Sequence, residues 1–194
     1  LIKKIAAGSA TANGLSTPVL YDANDDKIAD YAYAGDLKGN LWKFDLTSFA
    51  DQTTPLFIAR NASNQVQAIT AQPILGGHPN GGELVYFGTG QYLQGVDVLS
   101  PNVQTFYGIW DKGEPILTTD RSQLQQQTIV ASTAEFGRDL RETTANTVNW
   151  STKLGWYMDF NQSTGERVVS HALLRYGRVV FVTGEAGQGK TMLI

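Results

Sequence analysis

Short apolar or alternating runs, each closed off by glycine, asparagine, aspartate or proline, follow one another along almost the whole chain. That punctuation constrains the fold more than any other feature. A strand needs only ~4–8 alternating residues, whereas an amphipathic helix needs ~10–12 without interruption. The pattern predicts strands at Pro18–Tyr21, Tyr31–Ala34, Leu41–Asp45, Leu56–Ala59, Ala68–Pro73, Glu83–Gly88, Thr105–Trp110, Gly155–Phe160, Arg167–His171 and Arg178–Thr183. Gly35–Asn40 reads as a tight hairpin connection, and Gly165 and Gly177 mark further turns. Asp120–Arg141, rich in glutamine, threonine and alanine, leaves open a helical turn, an insertion loop or a polar strand. Thr143–Ser151 is polar, with Trp150 expected to anchor it.

Many short antiparallel strands suggest a sandwich, a barrel or a propeller. Recurrence favours the propeller. The shape "apolar strand, glycine, polar turn, glycine or asparagine, aromatic strand" is fullest in Tyr31–Asp45, weaker in Leu84–Leu93 and echoed in Gly177–Gly184. At ~40–50 residues per blade, 194 residues supply about four blades. A partial ring leaves a blade face open, and the chain starts at Leu1 and stops after Met192-Leu193-Ile194, so it reads as a fragment of something longer.

An apolar content of 42% and a charged content of 17% fit a globular chain and argue against disorder. The net charge of −3, with no lysine or arginine cluster, gives no footprint for nucleic acid. The absence of cysteine excludes disulfides, thiolate metal sites and a cysteine nucleophile. No apolar run approaches the ~20 residues that span a bilayer as a helix.

The run Asp22-Ala23-Asn24-Asp25-Asp26-Lys27-Ile28-Ala29-Asp30 places oxygen-bearing side chains at its first, third, fifth and ninth positions: Asp22, Asn24, Asp26 and Asp30. Four carboxylates within nine residues repel one another, and only Lys27 offsets them locally. A bound Ca²⁺ would turn that repulsion into a folding asset, because Ca²⁺ takes six to eight oxygen ligands from such loops. Asp and Asn are also good turn formers, so spacing alone fits either a metal loop or a solvated turn. Asp25, at an even place, is expected to point to water, and Ile28 and Ala29 to tether the loop to the core.

The segment Tyr31–Leu46 directly after this loop resembles the C-terminal domain of the PilC/PilY family of type IV pilus biogenesis and pilus-tip proteins. So do Asn13–Pro18, Val85–Leu93, Phe106–Asp111 and Gly155–Phe160, in the same order. The resemblance covers residues 1–183 as one domain and leaves 184–194 as an atypical glycine-rich stretch, read as a flexible tail or a truncated junction. It implies an all-β fold, a partial, modified propeller of antiparallel blades related to the quinoprotein dehydrogenase propeller. It further implies a non-enzymatic protein of the bacterial cell surface, pilus tip, outer membrane or periplasm. Such a protein would support pilus extension against retraction, twitching motility and adhesion. Its expected partners are the pilus machinery or minor pilins and a host-surface receptor. In that family the acidic loop binds calcium. Carried over, Asp22, Asn24, Asp26 and Asp30 are side-chain ligands, and the Ile28 carbonyl is the backbone ligand. Lys27 departs from the glycine often found at the sixth place, where the turn needs φ > 0, and Tyr33 stands where an EF-hand has its bidentate glutamate. The loop therefore reads as EF-hand-like but set between strands, with weak to intermediate affinity.

Other motifs are weaker. Gly184–Thr191 matches the G-x-x-x-x-G-K-T phosphate loop after an apolar run, an alternative that would make the chain a nucleotide binder. It has no room for the following helix and no later acidic strand. Gly88-Thr89-Gly90 hints at a dinucleotide loop but reads better as a hairpin turn. His78 lies in a glycine-rich connection and His171 reads as a strand residue. A quinoprotein-like or carbohydrate-active enzyme is the competing class, for which Asp97, Asp111, Glu114 and Asp159 are the available acids. Nothing in their spacing selects a pair, so they read as solvated loop residues. Trp42, Trp110, Trp150 and Trp156 read as core rather than as a sugar platform.

Overall fold

The computed structural model describes residues 3–8, 13–116, 121–135, 138–185 and 188–193. The first sheet runs β1 (Val19–Tyr21), β2 (Tyr31–Gly35), β3 (Asn40–Asp45), β4 (Phe57–Ile58), in chain order. The second begins the same way with β5 (Ile74–Gly77), β6 (Glu83–Gly88) and β7 (Thr105–Asp111). It is then extended by β11 (Gly155–Asp159) and, parallel to that strand, β8 (Gln125–Gln127). The third is β12 (Leu173–Arg175), β13 (Arg178–Glu185), β14 (Gln188–Leu193), and β9 (Ile129–Glu135) pairs with β10 (Arg138–Thr143) as a separate hairpin. Apart from β8 with β11, every strand pairing is antiparallel.

The sheets lie face to face in layers, which is what makes them blades. In β2 and β3, Tyr33 and Leu41 point to one side, into a core shared with Phe57, Val85, Phe87, Tyr107 and Ile109. Ala32, Ala34, Trp42 and Phe44 point to the other, under Ile5, Ala7 and Leu46. The period-2 alternation of a strand thus feeds two cores, and both faces of the first sheet are covered. The second sheet does the same: Tyr107 and Ile109 face the first, while Phe106, Met158 and Phe160 face Val179 and Phe181 of the third. Phe106 and Phe181 stack across the seam between those layers with centroids 4.0 Å apart. The initial strands of the sheets gather near one another. Gln72, just before β5, bonds the Pro18 carbonyl just before β1 at 2.7 Å, and β12 touches β5.

The β2–β3 turn shows how local sequence sets this geometry. Asp36 is fully buried, and its carboxylate accepts the Lys38 and Asn40 amides at 2.8 and 2.9 Å, the Asn40 side chain at 2.8 Å and the Trp42 indole at 2.9 Å. Gly39 sits at φ 77°, and a Cβ there would lie 2.9 Å from the carbonyls of Ala59 and Gln67, so glycine is required on both counts.

The expected strands at Ala68–Pro73 and Arg167–His171 are corrected: only single bridges occur there, Ile69 to Gly90 and Arg167 to Gly184. Paired strands begin just beyond, at Ile74 and Leu173. Pro73 cannot donate to a ladder, and the Ile69 and Val168 amides are committed to the Asp36 and Thr89 carbonyls of neighbouring loops. In the stretch Asp120–Arg141, residues 121–124 form a turn and the rest supplies β8, β9 and most of β10, while Asp120 and residues 136–137 lie outside the described residues. Where about four blades were expected, the described residues form three stacked sheets and one hairpin.

Candidate metal centre

The acidic run is a closed excursion between β1 and β2. Tyr21 and Tyr31 are register partners, and the Asp30 amide donates to the Tyr21 carbonyl at 2.9 Å. Within this neck the loop's own amides turn inward onto its oxygens. Asp22 Oδ1 accepts the Asn24 and Asp26 amides at 3.3 and 3.2 Å, and Oδ2 accepts the Lys27 amide at 2.7 Å. Asn24 Oδ1 accepts from Asp26 at 2.9 Å, Asp26 Oδ1 from Ile28 at 2.8 Å, and Asp30 Oδ2 from Ala23 at 2.8 Å. The first and last acids are therefore stitched across the loop.

Asp25 and Lys27 occupy the left-handed region, at φ 62° and 74°. Lys27 accordingly takes the conformation that the sixth place demands despite carrying a side chain, and the turn is kept. Its ammonium pairs with the Asp25 carboxylate in solvent, where such a pair contributes little. The expected tether by Ile28 is corrected, since its side chain is 69% exposed. The anchors are the two neck tyrosines, which pack on the core between the first two sheets.

All five carried-over positions lie on this one loop. Among the described residues, no three His, Cys, Asp or Glu side chains are gathered at one point ready for a metal, these included. The fit to Ca²⁺ rests instead on donor chemistry and chain path. Every donor is a hard oxygen, the loop amides already hold the chain curled, and Asp26 Oδ2 and Asp30 Oδ1 carry no hydrogen bond among the described residues.

A cleft of about 390 Å³ opens beside the loop, between the first two sheets. Tyr21 donates to Glu83 Oε1 at 2.7 Å, and that hydrogen bond, with burial, pushes the phenol up to about 12. Tyr33 donates to Asp111 Oδ2 at 2.7 Å, and Lys43 reaches the same oxygen at 2.8 Å. Burial, then the Asp111 bond, drives the Tyr33 phenol far above its ordinary value. The Lys43 ammonium also lies 4.3 Å from the Tyr31 ring centroid, a cation–π contact.

The remaining candidates are structural. Asp97, Asp111 and Asp159 are not the solvated acids expected. Asp97 holds the Gln91 side chain and the Leu93 and Gln94 amides, and Asp159 is clamped by Arg121 at 2.6 and 3.1 Å. The turn expected at Gly88–Gly90 instead opens a long connection that carries a 3₁₀ turn at Gly95–Leu99 before β7. Arg167, buried, fastens that connection by donating to the carbonyls of Gln91, Asp97 and Ser100. His78 is no mere connection: it is buried, stacked 3.9 Å from Trp110 and edge-on to Trp150 at 4.4 Å, which anchors the 143–151 segment as expected. His171 is exposed and lies between strands. The phosphate-loop-like run is split across an antiparallel pair, with Gly184 opposite Gly189, rather than joining a strand to a helix.

Layered antiparallel sheets that share cores on both faces, with an oxygen-rich loop opening into the first hairpin, define a β-propeller module. Residues 1–55 and 47–136 match the family described as the PilY1 beta-propeller domain, and the chain belongs to that family. It is 38% identical over 225 residues to the type IV pilus biogenesis factor PilY1 of Pseudomonas aeruginosa strain PAO1, covering 92% of this chain and 19% of the relative. A PilY1 homolog of Xylella fastidiosa is 36% identical over 187 residues, covering 88% of this chain and 13% of the relative. The crystal structure of the P. aeruginosa PilY1 C-terminal domain superposes with a TM-score of 0.88 at 34% identity, over 99% of this chain and 49% of that one. The chain thus spans a fifth or less of these curated relatives and about half of the solved domain. The relatives are named as type IV pilus biogenesis factors, not as enzymes. No helix among the described residues is long and apolar enough to cross a membrane.

Proposed function

We propose that this chain is a non-enzymatic, calcium-binding propeller module of a pilus biogenesis factor. It works at the bacterial surface or pilus tip, where it favours pilus extension over retraction and supports twitching motility and adhesion. The observation that carries the calcium reading is the curled loop itself, with its amides bonded to Asp22, Asn24, Asp26 and Asp30 and its sixth residue held at positive φ. Asp22, Asn24, Asp26 and Asp30 would hold the ion by side chains, and Ile28 by its carbonyl. Bound Ca²⁺ supplies positive charge that offsets the crowded carboxylates. The protein's own part is to preset the curl and fix its ends at Tyr21 and Tyr31. Pilus machinery or minor pilins and a host-surface receptor are the partners this role calls for. The non-enzymatic reading is supported by the commitment of Asp97, Asp111 and Asp159 to hydrogen bonds and ion pairs inside the fold.

Calorimetric titration tests the site. Wild type should give a one-site Ca²⁺ isotherm and a higher Tm in Ca²⁺ than in EDTA. Asp26→Ala and Asp30→Ala should each abolish most of the affinity. A flat isotherm with no thermal shift refutes the calcium reading.

A further inference from the structure

Two strand pairs face each other across the cleft, and one belongs to the neck of the acidic loop. Tyr21 and Tyr31 are opposite one another in β1–β2, immediately before Asp22 and after Asp30. Glu83 and Asp111 are opposite one another in β6–β7 of the second sheet. Two carboxylates in register repel, so each needs a donor from outside its own strand pair. The side-chain donors come from the first sheet: the Tyr21 hydroxyl reaches Glu83, and Lys43 and Tyr33 reach Asp111 Oδ2, while Asp111 Oδ1 takes the nearby Gly113 amide at 2.8 Å. Lys43 is itself seated over Tyr31. Both ends of the loop therefore take part in neutralising the second sheet's acid pair. We propose that the loop neck is the adjustable wall of this cleft, so that loop occupancy and cleft closure favour each other. The inference rests on the calcium reading above. It adds a direction of influence: a ligand that orders Asp22–Asp30 holds the already seated Tyr21 and Tyr31 more firmly and tightens the seam between the sheets. By linkage, anything that pries the seam open weakens the loop's hold on its ion to the same degree.

The test compares the full chain with Tyr21→Phe and Glu83→Ala, which delete the donor and the acceptor of the same bond, and with Glu83→Gln, which keeps an acceptor. Hydrogen–deuterium exchange at Gly82–Leu84 and Asp111–Gly113 reads the seam, and calorimetry reads the loop. In wild type, Ca²⁺ should slow exchange at both segments, although neither carries a ligand. Tyr21→Phe should lose that protection, weaken Ca²⁺ binding by about five-fold or more, and shrink the Tm gap between Ca²⁺ and EDTA. Glu83→Gln should retain the protection. A purely structural bond would lower Tm equally with and without Ca²⁺ and leave the affinity unchanged. That result, or undiminished protection in Tyr21→Phe, overturns the coupling and leaves the calcium reading standing. If Tyr21→Phe does not fold, Glu83→Ala decides by the same criteria. Absence of Ca²⁺ heat in wild type overturns the calcium reading and the coupling together.

Discussion

Replacing Asp36 with alanine deletes one carboxylate and strands four donors at the β2–β3 turn. Their burial sets the magnitude. The Trp42 indole lies in a residue only 3% exposed, so its N–H finds no water and its loss costs about 2–3 kcal/mol. The Lys38 and Asn40 donors are partly buried and recover hydration, at roughly 0.5–1 kcal/mol each. The expected loss is about 4 kcal/mol, a large share of the ~5–15 kcal/mol typical of a folded domain. Urea unfolding followed by tryptophan fluorescence measures it. Trp42→Phe removes the indole donor, so Asp36→Ala in that background should cost about 2 kcal/mol less. A loss below about 1 kcal/mol for Asp36→Ala, or full additivity of the two changes, would refute the view that this buried acid organises the hairpin.

Three further outcomes follow from the same geometry. Burial holds the His78 pKa below its ordinary value, so the unfolded chain takes up its proton first as pH falls; stability should be full above about 6.5 and decline below it, and His78→Phe should flatten that decline in a pH series of unfolding curves. Arg167→Met leaves the carbonyls of Gln91, Asp97 and Ser100 without their shared donor, and hydrogen exchange across Gln91–Ser100 should accelerate by tenfold or more, on the order of 2 kcal/mol of local stability. Gly35→Ala would drive a Cβ to 2.2 Å from Ile69 Cγ2, and thermal melts should show it destabilised by about 1–3 kcal/mol.

Much of this was legible in the chain because it is local. The bounds of β6 follow from one short apolar run closed by Gly82 and Gly88, and the Gly35–Asn40 turn from its own residues. The acidic loop's turn is also local, although Lys27 reads in the sequence as a departure from the glycine of the sixth place and nevertheless holds positive φ. What stayed hidden depends on partners far along the chain. Asp111 looks like any loop acid until Tyr33, 78 residues earlier, arrives to bond it. His78 looks like punctuation until Trp110 and Trp150 close over it. Ala68–Pro73 has the composition of a strand, yet the Asp36 carbonyl takes the Ile69 amide first. The tyrosines bracketing Asp22–Asp30 were the one available sign that this loop reaches across to the next sheet.

The pairing of β7 with β11 has a consequence for biosynthesis. Ile109 finds its rung at Gly155, so the middle layer stays incomplete until that residue has left the ribosome. Strands β1 to β4 span only Val19–Ile58 and can zip up as they emerge. Nascent chains halted near residue 150 should therefore carry a formed first sheet beside a β7 paired with β6 on one edge only, its other edge, which β11 will take, open to any chaperone that recognises unpaired backbone.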